Sequence, residues 1–115
     1  MKSIDWLYHR KNCETCAKAQ DFFTRHKISA KEIVDARKQR LDPAQALKLA
    51  ARMDEIYVTR GKKVLHFDMK RNAPDKQELS TVLIGPSGNL RAPAMVLDKT
   101  LVVGFDESTY DKVFK

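Results

Sequence analysis

The spacing of apolar residues along the chain predicts its first elements. Residues 4–8 form a short apolar run typical of a strand, and residues 16–23 place apolar side chains three to four positions apart. That spacing predicts a helix continuing to about Arg25. Residues 31–35 form a second strand-like run. The three segments predict a β-α-β unit whose strands are parallel neighbours with a right-handed crossover.

A second helix is predicted from its start signals. Asp42 can cap it, Pro43 suits its first position, and Gln45 lies where a capping-box partner reaches back to the cap. We expect this helix to run to about Met53 and to lie on the surface of the protein. Its apolar face is thin and consists of Ala44, Leu47, Ala50 and Ala51.

The middle of the chain combines one unclear stretch with one clear helix. Residues 56–67 mix β-branched residues, a glycine and basic residues without clean periodicity, so we expect only short strands or turns there. A third helix opens at residues 72–75. It ends at Gly85-Pro86, in the usual order of a C-terminal glycine followed by proline.

The last third of the chain predicts a hairpin and a closing helix. Apolar runs at residues 94–97 and 100–103 are separated by two residues, which predicts an antiparallel hairpin. Asp106 then caps a short helix. The order β-α-β, helices, β-β-α is that of the thioredoxin fold. We therefore expect one α/β domain over residues 1–115, built on a mixed four-stranded sheet.

Composition and charge narrow the functional classes. The 115 residues are 43% hydrophobic, enough for one core. No apolar stretch approaches the roughly 20 residues that cross a bilayer, and the N-terminus lacks a signal-peptide pattern, so we expect a cytoplasmic protein with no membrane partner. The net charge of +7 indicates either a solvated basic surface or attraction to an anionic substrate or partner. No base-stacking aromatic pattern accompanies it, so direct nucleic-acid binding is not expected.

Both cysteines of the chain fall in one Cys-x-x-Cys motif at residues 13–16, between the first strand and the first helix. Unpaired N–H groups at a helix N-terminus carry roughly half a positive charge, and Arg10 and Lys11 add to it, so a thiolate is favoured here. Such a motif beside a β-α-β unit is typical of thioredoxin-like redox sites. We predict a reversible disulfide, with Cys13 as the attacking thiol and Cys16 as the more buried, resolving thiol.

Two other interpretations of the cysteine pair remain open. Half of a zinc site would need more ligands, and His9, His26 and His66 are scattered rather than paired in a second motif. The pair could also be inert and buried. We predict no metal site and no bound cofactor.

Three segments also occur in the order found in a known family: Cys-x-x-Cys at residues 13–16, Leu-Arg-Ala-Pro at 90–93, and Leu-Val-Val-Gly-Phe-Asp-Glu at 101–107. With them the chain resembles the ArsC-like family, which joins glutaredoxin-like arsenate reductases to Spx-type redox regulators. It is most similar to small family members, some of which carry selenocysteine where this chain has cysteine. The resemblance implies a cis Ala92-Pro93 peptide bond beside the cysteines.

The resemblance also implies site residues. In the family's reductases one cysteine attacks arsenate, arginines bind the oxyanion, and glutathione with glutaredoxin resolves the intermediate. Cys13 matches the nucleophile and Arg60 matches the first arginine. Arg91 lies one residue earlier relative to Pro93 than the reductase arginine does. A third arginine is replaced by Gly-Phe at residues 104–105, as in the Val-Gly-Tyr pattern of Spx-type proteins, which argues against arsenate.

Two functional classes follow. The first is a thiol-disulfide oxidoreductase, a glutaredoxin-like reductase that acts on a disulfide or oxyanion and takes electrons from external glutathione or thioredoxin. The second is a non-enzymatic, redox-sensing transcriptional regulator of the Spx type that binds RNA polymerase. The basic surface suits either class, and the sequence leaves the substrate and the reductant open.

Overall fold

The computed structural model describes residues 3–115. Within this range the strands are β1 (Ser3–Ile4), β2 (Trp6–His9), β3 (Ser29–Ala30), β4 (Ile33–Asp35), β5 (Glu55–Arg60), β6 (Lys63–Asp68), β7 (Ala94–Leu97) and β8 (Thr100–Val103). The helices of the same range are α1 (Glu14–Arg25), α2 (Pro43–Ala51), α3 (Lys76–Leu83) and α4 (Glu107–Val113).

The main sheet has the strand order β4-β2-β7-β8-β5-β6. β2 is parallel to β4, β8 is parallel to β5, and the other neighbours are antiparallel. The short parallel pair β1 and β3 continues the pairing of β2 and β4, since the Lys31 N–H donates to the Ile4 carbonyl (2.8 Å) and the Leu7 N–H donates to the Glu32 carbonyl (2.9 Å). The predicted β-α-β unit is confirmed.

The mixed α/β fold is confirmed, but within residues 3–115 the main sheet has six strands rather than the expected four. The two additional strands form the hairpin β5 and β6, which turns at Gly61 with a φ of +59°. This segment lacks a clean pattern because β6 is an edge strand. Its Leu65 and Phe67 are only partly buried, and Val64 is exposed.

Helices cover both faces of the sheet. Because neighbouring residues on a strand point to opposite faces, Leu7 and Tyr8 belong to different core clusters. The cluster under α2 and α3 includes Tyr8, Ile56, Val58, Leu83, Leu101 and Val103. The cluster under α1 and α4 includes Leu7, Phe22, Phe23, Met95, Val102 and Tyr110.

The capping box that starts α2 is confirmed. The Gln45 N–H donates to Asp42 Oδ1 (2.9 Å), and the Asp42 N–H donates to Gln45 Oε1 (3.1 Å). The predicted apolar face is partly wrong: the structure buries Ala46 and Ala50 and exposes the remaining two alanines of α2. Because alanine side chains are small, Ala46 and Ala50, one turn apart, allow the helix backbone to pack closely on its neighbours. Leu47 and Leu49 flank this line of contact and are half-buried.

The other predicted elements are confirmed with small shifts of their ends. Asp75 caps α3 and accepts from the Glu78 N–H (2.7 Å), and Asp106 caps α4 and accepts from the Thr109 N–H (2.9 Å). β7 and β8 form the antiparallel hairpin, whose turn has Asp98 at a φ of +57°. Among the described residues, no helix is both long enough and apolar enough to cross a membrane.

Candidate functional site

The cysteine motif lies where β2 is followed by α1. The chain turns through Asn12, whose φ of +58° is a left-handed conformation that asparagine tolerates better than most residues. Cys13 is the N-cap residue of α1, and its Sγ accepts a hydrogen bond from the Cys16 N–H at 3.4 Å. The sulfur thus occupies the place of the capping oxygen in other helices and faces the positive end of the helix dipole.

The two thiols differ in solvent exposure. Cys13 is half-buried, whereas Cys16 is 0% exposed, which confirms the expected difference. Burial raises the pKa of the Cys16 thiol to about 12; the hydrogen bond with the Cys13 side chain adds to the rise, and a backbone hydrogen bond with Arg10 opposes it. Cys16 is therefore a protonated thiol at neutral pH in the reduced protein.

The loop before β7 lies directly against Cys13. The Ala92-Pro93 peptide bond is cis, as expected. The Cys13 thiol donates a long hydrogen bond to the Ala92 carbonyl, with 4.0 Å between sulfur and oxygen. Pro93 is buried, and its carbonyl accepts a hydrogen bond from the Gly104 N–H at 2.8 Å. This bond fixes the loop to the end of β8 and so sets its position relative to the thiol.

Gly104 lies at a close approach between two strand ends. Its φ is +89°, and a Cβ atom at this position would lie 2.9 Å from the Thr59 carbonyl oxygen. The Tyr110 hydroxyl also donates a hydrogen bond to the Gly104 carbonyl at 2.8 Å. An arginine at position 104 would therefore require the backbone of β5 to move.

Arg91 directly precedes Ala92, whose carbonyl oxygen is 4.0 Å from the Cys13 sulfur. It is half-buried and lines two clefts, one on each side of the loop. Cys13, Cys16 and Pro93 thus lie together with Arg91 at one end of the sheet. The role of Arg91 in substrate binding stays a prediction.

Arg60 lies at the same end of the sheet but farther away. It is exposed, ends β5, and lines neither of these clefts. Since β5 is the third strand from β2 and strands are about 4.8 Å apart, its backbone is about 14 Å from β2. Its assignment as an oxyanion ligand also stays a prediction.

A basic cleft of about 580 Å³ opens beside Ala92. Five cationic side chains line it, and we call it the basic cleft. They are Arg10, Lys11, Arg37, Arg40 and Arg91. Its lining contains no Asp or Glu from the described residues. The sequence showed Arg37 and Arg40 only as a small basic cluster, and nothing in it placed them near the cysteines.

A smaller cleft of about 350 Å³ lies on the other side of the loop. Its charges are mixed, because Lys18 and Arg91 line it together with Asp106 and Glu107. Thr59 also lines it, and the Thr59 hydroxyl oxygen is buried without a hydrogen-bond partner among the described residues.

The histidines lie apart from one another. His9 ends β2, His26 packs on Phe22 with 4.1 Å between ring centroids, and His66 hydrogen-bonds Glu55 at 2.9 Å. Within residues 3–115, no group of three or more His, Cys, Asp or Glu side chains is placed to hold a metal ion.

Comparison with protein families gives a match to the ArsC family over residues 8–113. The matched region contains the cysteine motif, the loop with the cis bond and Gly104. The chain belongs to the ArsC family. The ArsC family has a thioredoxin-like fold, and membership indicates a thiol-based redox function. A comparison with curated proteins gave no match for this ArsC-family chain.

Proposed function

We propose that this ArsC-family protein is a thiol-disulfide oxidoreductase in which Cys13 attacks and Cys16 resolves. The observation that carries the proposal is the half-exposed Cys13 thiol, which lies at the N-terminus of α1 and 4.0 Å from the Ala92 carbonyl. Cys16 lies one helical turn behind it, fully buried. This arrangement offers one thiol to an incoming disulfide and keeps a second thiol within reach of the first.

The first step is attack of the Cys13 thiolate on one sulfur of a substrate disulfide. A bond forms between the two sulfurs, the substrate S–S bond breaks, and the other substrate sulfur leaves as a thiolate. The dipole of α1 and the Cys16 N–H, 3.4 Å from the Cys13 sulfur, both favour the negative charge of the attacking thiolate. The guanidinium of Arg91 adds positive charge beside the loop.

The second step is attack of Cys16 on the sulfur of Cys13. The Cys16 thiol gives up its proton, the Cys13–Cys16 disulfide forms, and the bound half of the substrate leaves as a thiolate. In the reduced protein burial raises the pKa of Cys16 to about 12, so this step requires removal of the Cys16 proton. An external thiol reductant, either glutathione or thioredoxin, then supplies two electrons and returns the pair to its dithiol form.

Arsenate is not the substrate that we propose. Of the arginines implied by the family resemblance, Arg91 is the one in the loop that contacts Cys13. Arg60 is three strands away, and position 104 is a glycine packed against Thr59. A tetrahedral oxyanion at Cys13 would therefore lack the third expected cationic ligand.

Turnover of substrates by the purified protein tests the proposal. We expect reduction of small disulfides with glutathione or thioredoxin as electron donor, and no arsenate reduction above background. Cys13→Ser should abolish turnover, since it removes the attacking sulfur. Cys16→Ser should slow turnover with thioredoxin more than with glutathione, because glutathione can resolve the mixed disulfide itself. Ser108→Ala, an exposed change in α4, is the matched control.

A different pair of results would contradict the oxidoreductase proposal. If no disulfide is reduced with either donor, while oxidation of the protein switches its binding to RNA polymerase, the oxidoreductase proposal fails. The Spx-type regulator is then the correct function.

A further inference from the structure

The basic cleft concentrates unneutralised positive charge beside the reactive thiol. Arg25, Lys31 and Lys70 form ion pairs with carboxylates elsewhere on the surface. Among the described residues, none of the five cations of the basic cleft forms such a pair. Five like charges in one cleft repel one another, and an anionic ligand relieves that repulsion.

The basic cleft is lined by the same loop that contacts the reactive thiol. Ala92 lines the cleft, and the Ala92 carbonyl is 4.0 Å from the Cys13 sulfur. A disulfide substrate attacked by Cys13 therefore contacts the same loop that forms one wall of the cleft. Ala92 also lines the smaller cleft, whose charges are mixed, so it is the uniform positive charge of the basic cleft that favours an acidic part of the substrate there.

The distribution of the charges indicates the class of ligand. The cations come from three separate segments: the β2–α1 turn, the β4–α2 loop and the loop before β7. Four of the five are exposed side chains. Compact anions such as phosphate are held by convergent donors, often backbone N–H groups. Charges spread over three segments instead match carboxylates that are spaced along an extended peptide.

We propose that the basic cleft binds an acidic peptide segment adjacent to the disulfide of a protein substrate. The inference rests on the proposed oxidoreductase function and specifies its substrate class. A volume of about 580 Å³ lies within the range of sites for small ligands, so the cleft accommodates a short segment. The attraction between opposite charges raises the rate of encounter and weakens as salt is added.

Reduction of three matched peptides tests this inference. The peptides contain the same disulfide and differ only at the residues flanking one cysteine, which are glutamate, glutamine or lysine. At low salt we expect kcat/KM for the acidic peptide to exceed that for the neutral peptide roughly tenfold. At high salt the ratio of the two values should fall toward one. The lysine peptide should be the slowest of the three.

Paired substitutions connect this preference to the cleft. Arg37→Gln with Arg40→Gln should lower the acidic-to-neutral ratio roughly three- to tenfold. Arg71→Gln with Lys76→Gln removes the same charge from exposed residues outside the basic cleft and is the matched control. The control pair should change the ratio by less than about twofold, because neither residue lines the basic cleft and the attraction between charges weakens with distance.

A binding measurement separates the ligand from the chemistry. The acidic peptide with serine in place of its cysteines should bind with an anisotropy change that the glutamine version lacks. If inorganic phosphate displaces it where sodium chloride of equal ionic strength does not, the cleft is a compact-anion site and the inference is overturned. If all three disulfide peptides react equally fast, the inference is also overturned, but the oxidoreductase function stands. If none reacts, the proposed function fails and the inference fails with it.

Discussion

Cys13 and Cys16 are three residues apart, yet their environments differ completely. Apolar residues at three- to four-residue spacing turn one face of α1 toward the sheet, and that face carries Cys16 together with Phe22 and Phe23. Cys13 precedes the first turn and stays at the surface. Because this contrast depends only on helical periodicity, the sequence could predict it. The close packing of Gly104 against Thr59 has no such local signal, since 45 residues separate the two positions.

At the scale of single residues, we predict that the reduced protein loses stability at alkaline pH because of Cys16. Burial raises the pKa of its thiol from 9.0 to about 12 in the folded state. Below pH 9.0 both the folded and the unfolded chain keep the proton. Above it the unfolded chain loses the proton first, so the free energy of unfolding falls by up to about 1.4 kcal/mol per pH unit.

Urea denaturation in excess reductant measures this effect. Wild type and Cys16→Ala are compared at neutral pH and at several values above pH 9.0. The stability advantage of the wild type over Cys16→Ala should shrink as the pH rises. An advantage that stays constant over this range contradicts the assigned environment of Cys16.

At the scale of elements, Tyr8 joins three segments around the basic cleft. The Tyr8 hydroxyl accepts a hydrogen bond from the Leu41 N–H at 3.1 Å. The Leu41 carbonyl in turn accepts one from the Leu90 N–H at 2.8 Å. β2, the segment before α2 and the loop after α3 are thus connected in series. All three contribute lining residues, so the shape of the cleft depends on this series of bonds.

Replacing Tyr8 by phenylalanine should therefore destabilise the protein. Tyr8→Phe leaves the Leu41 N–H of this part-buried hydrogen bond without its partner, which costs about 1 kcal/mol. Tyr57→Phe is the matched control, because within residues 3–115 the Tyr57 hydroxyl forms no hydrogen bond; it should cost less than about 0.5 kcal/mol. Equal losses of unfolding free energy for the two variants, measured by urea denaturation, contradict the role of the Tyr8 hydroxyl.

The elements also differ in how well the sequence predicts them. α2 has a capping box and a proline at its first position, so its start could be predicted to the residue. The β5–β6 hairpin could not, because β6 is an edge strand whose side chains are partly exposed on both faces. The buried face of α2 differs from the predicted face for a related reason. Its alanines give no periodic contrast with one another, and packing in three dimensions decides which of them are buried.

At the scale of the whole molecule, the site combines local and distant parts of the chain. The Cys-x-x-Cys motif is local and could be identified from the sequence. The cis bond at Ala92-Pro93 followed only from the family resemblance. The basic cleft could not be predicted, because its cations come from residues 10–11, 37–40 and 91, which only the sheet order β4-β2-β7 brings together. Charge that is scattered in the sequence becomes a concentrated field in the fold.

The central claim is that Cys13 attacks and Cys16 resolves, and trapping of the mixed disulfide tests it most directly. Wild type, Cys13→Ser and Cys16→Ser are mixed with a disulfide substrate, quenched with acid and analysed by mass spectrometry. We predict that Cys16→Ser accumulates a substrate adduct on Cys13, that wild type proceeds to the Cys13–Cys16 disulfide, and that Cys13→Ser stays unmodified. The contrary result is an adduct on Cys16 in the Cys13→Ser variant. If it forms as fast as the adduct on Cys13 forms in the Cys16→Ser variant, the assignment of the two roles is wrong.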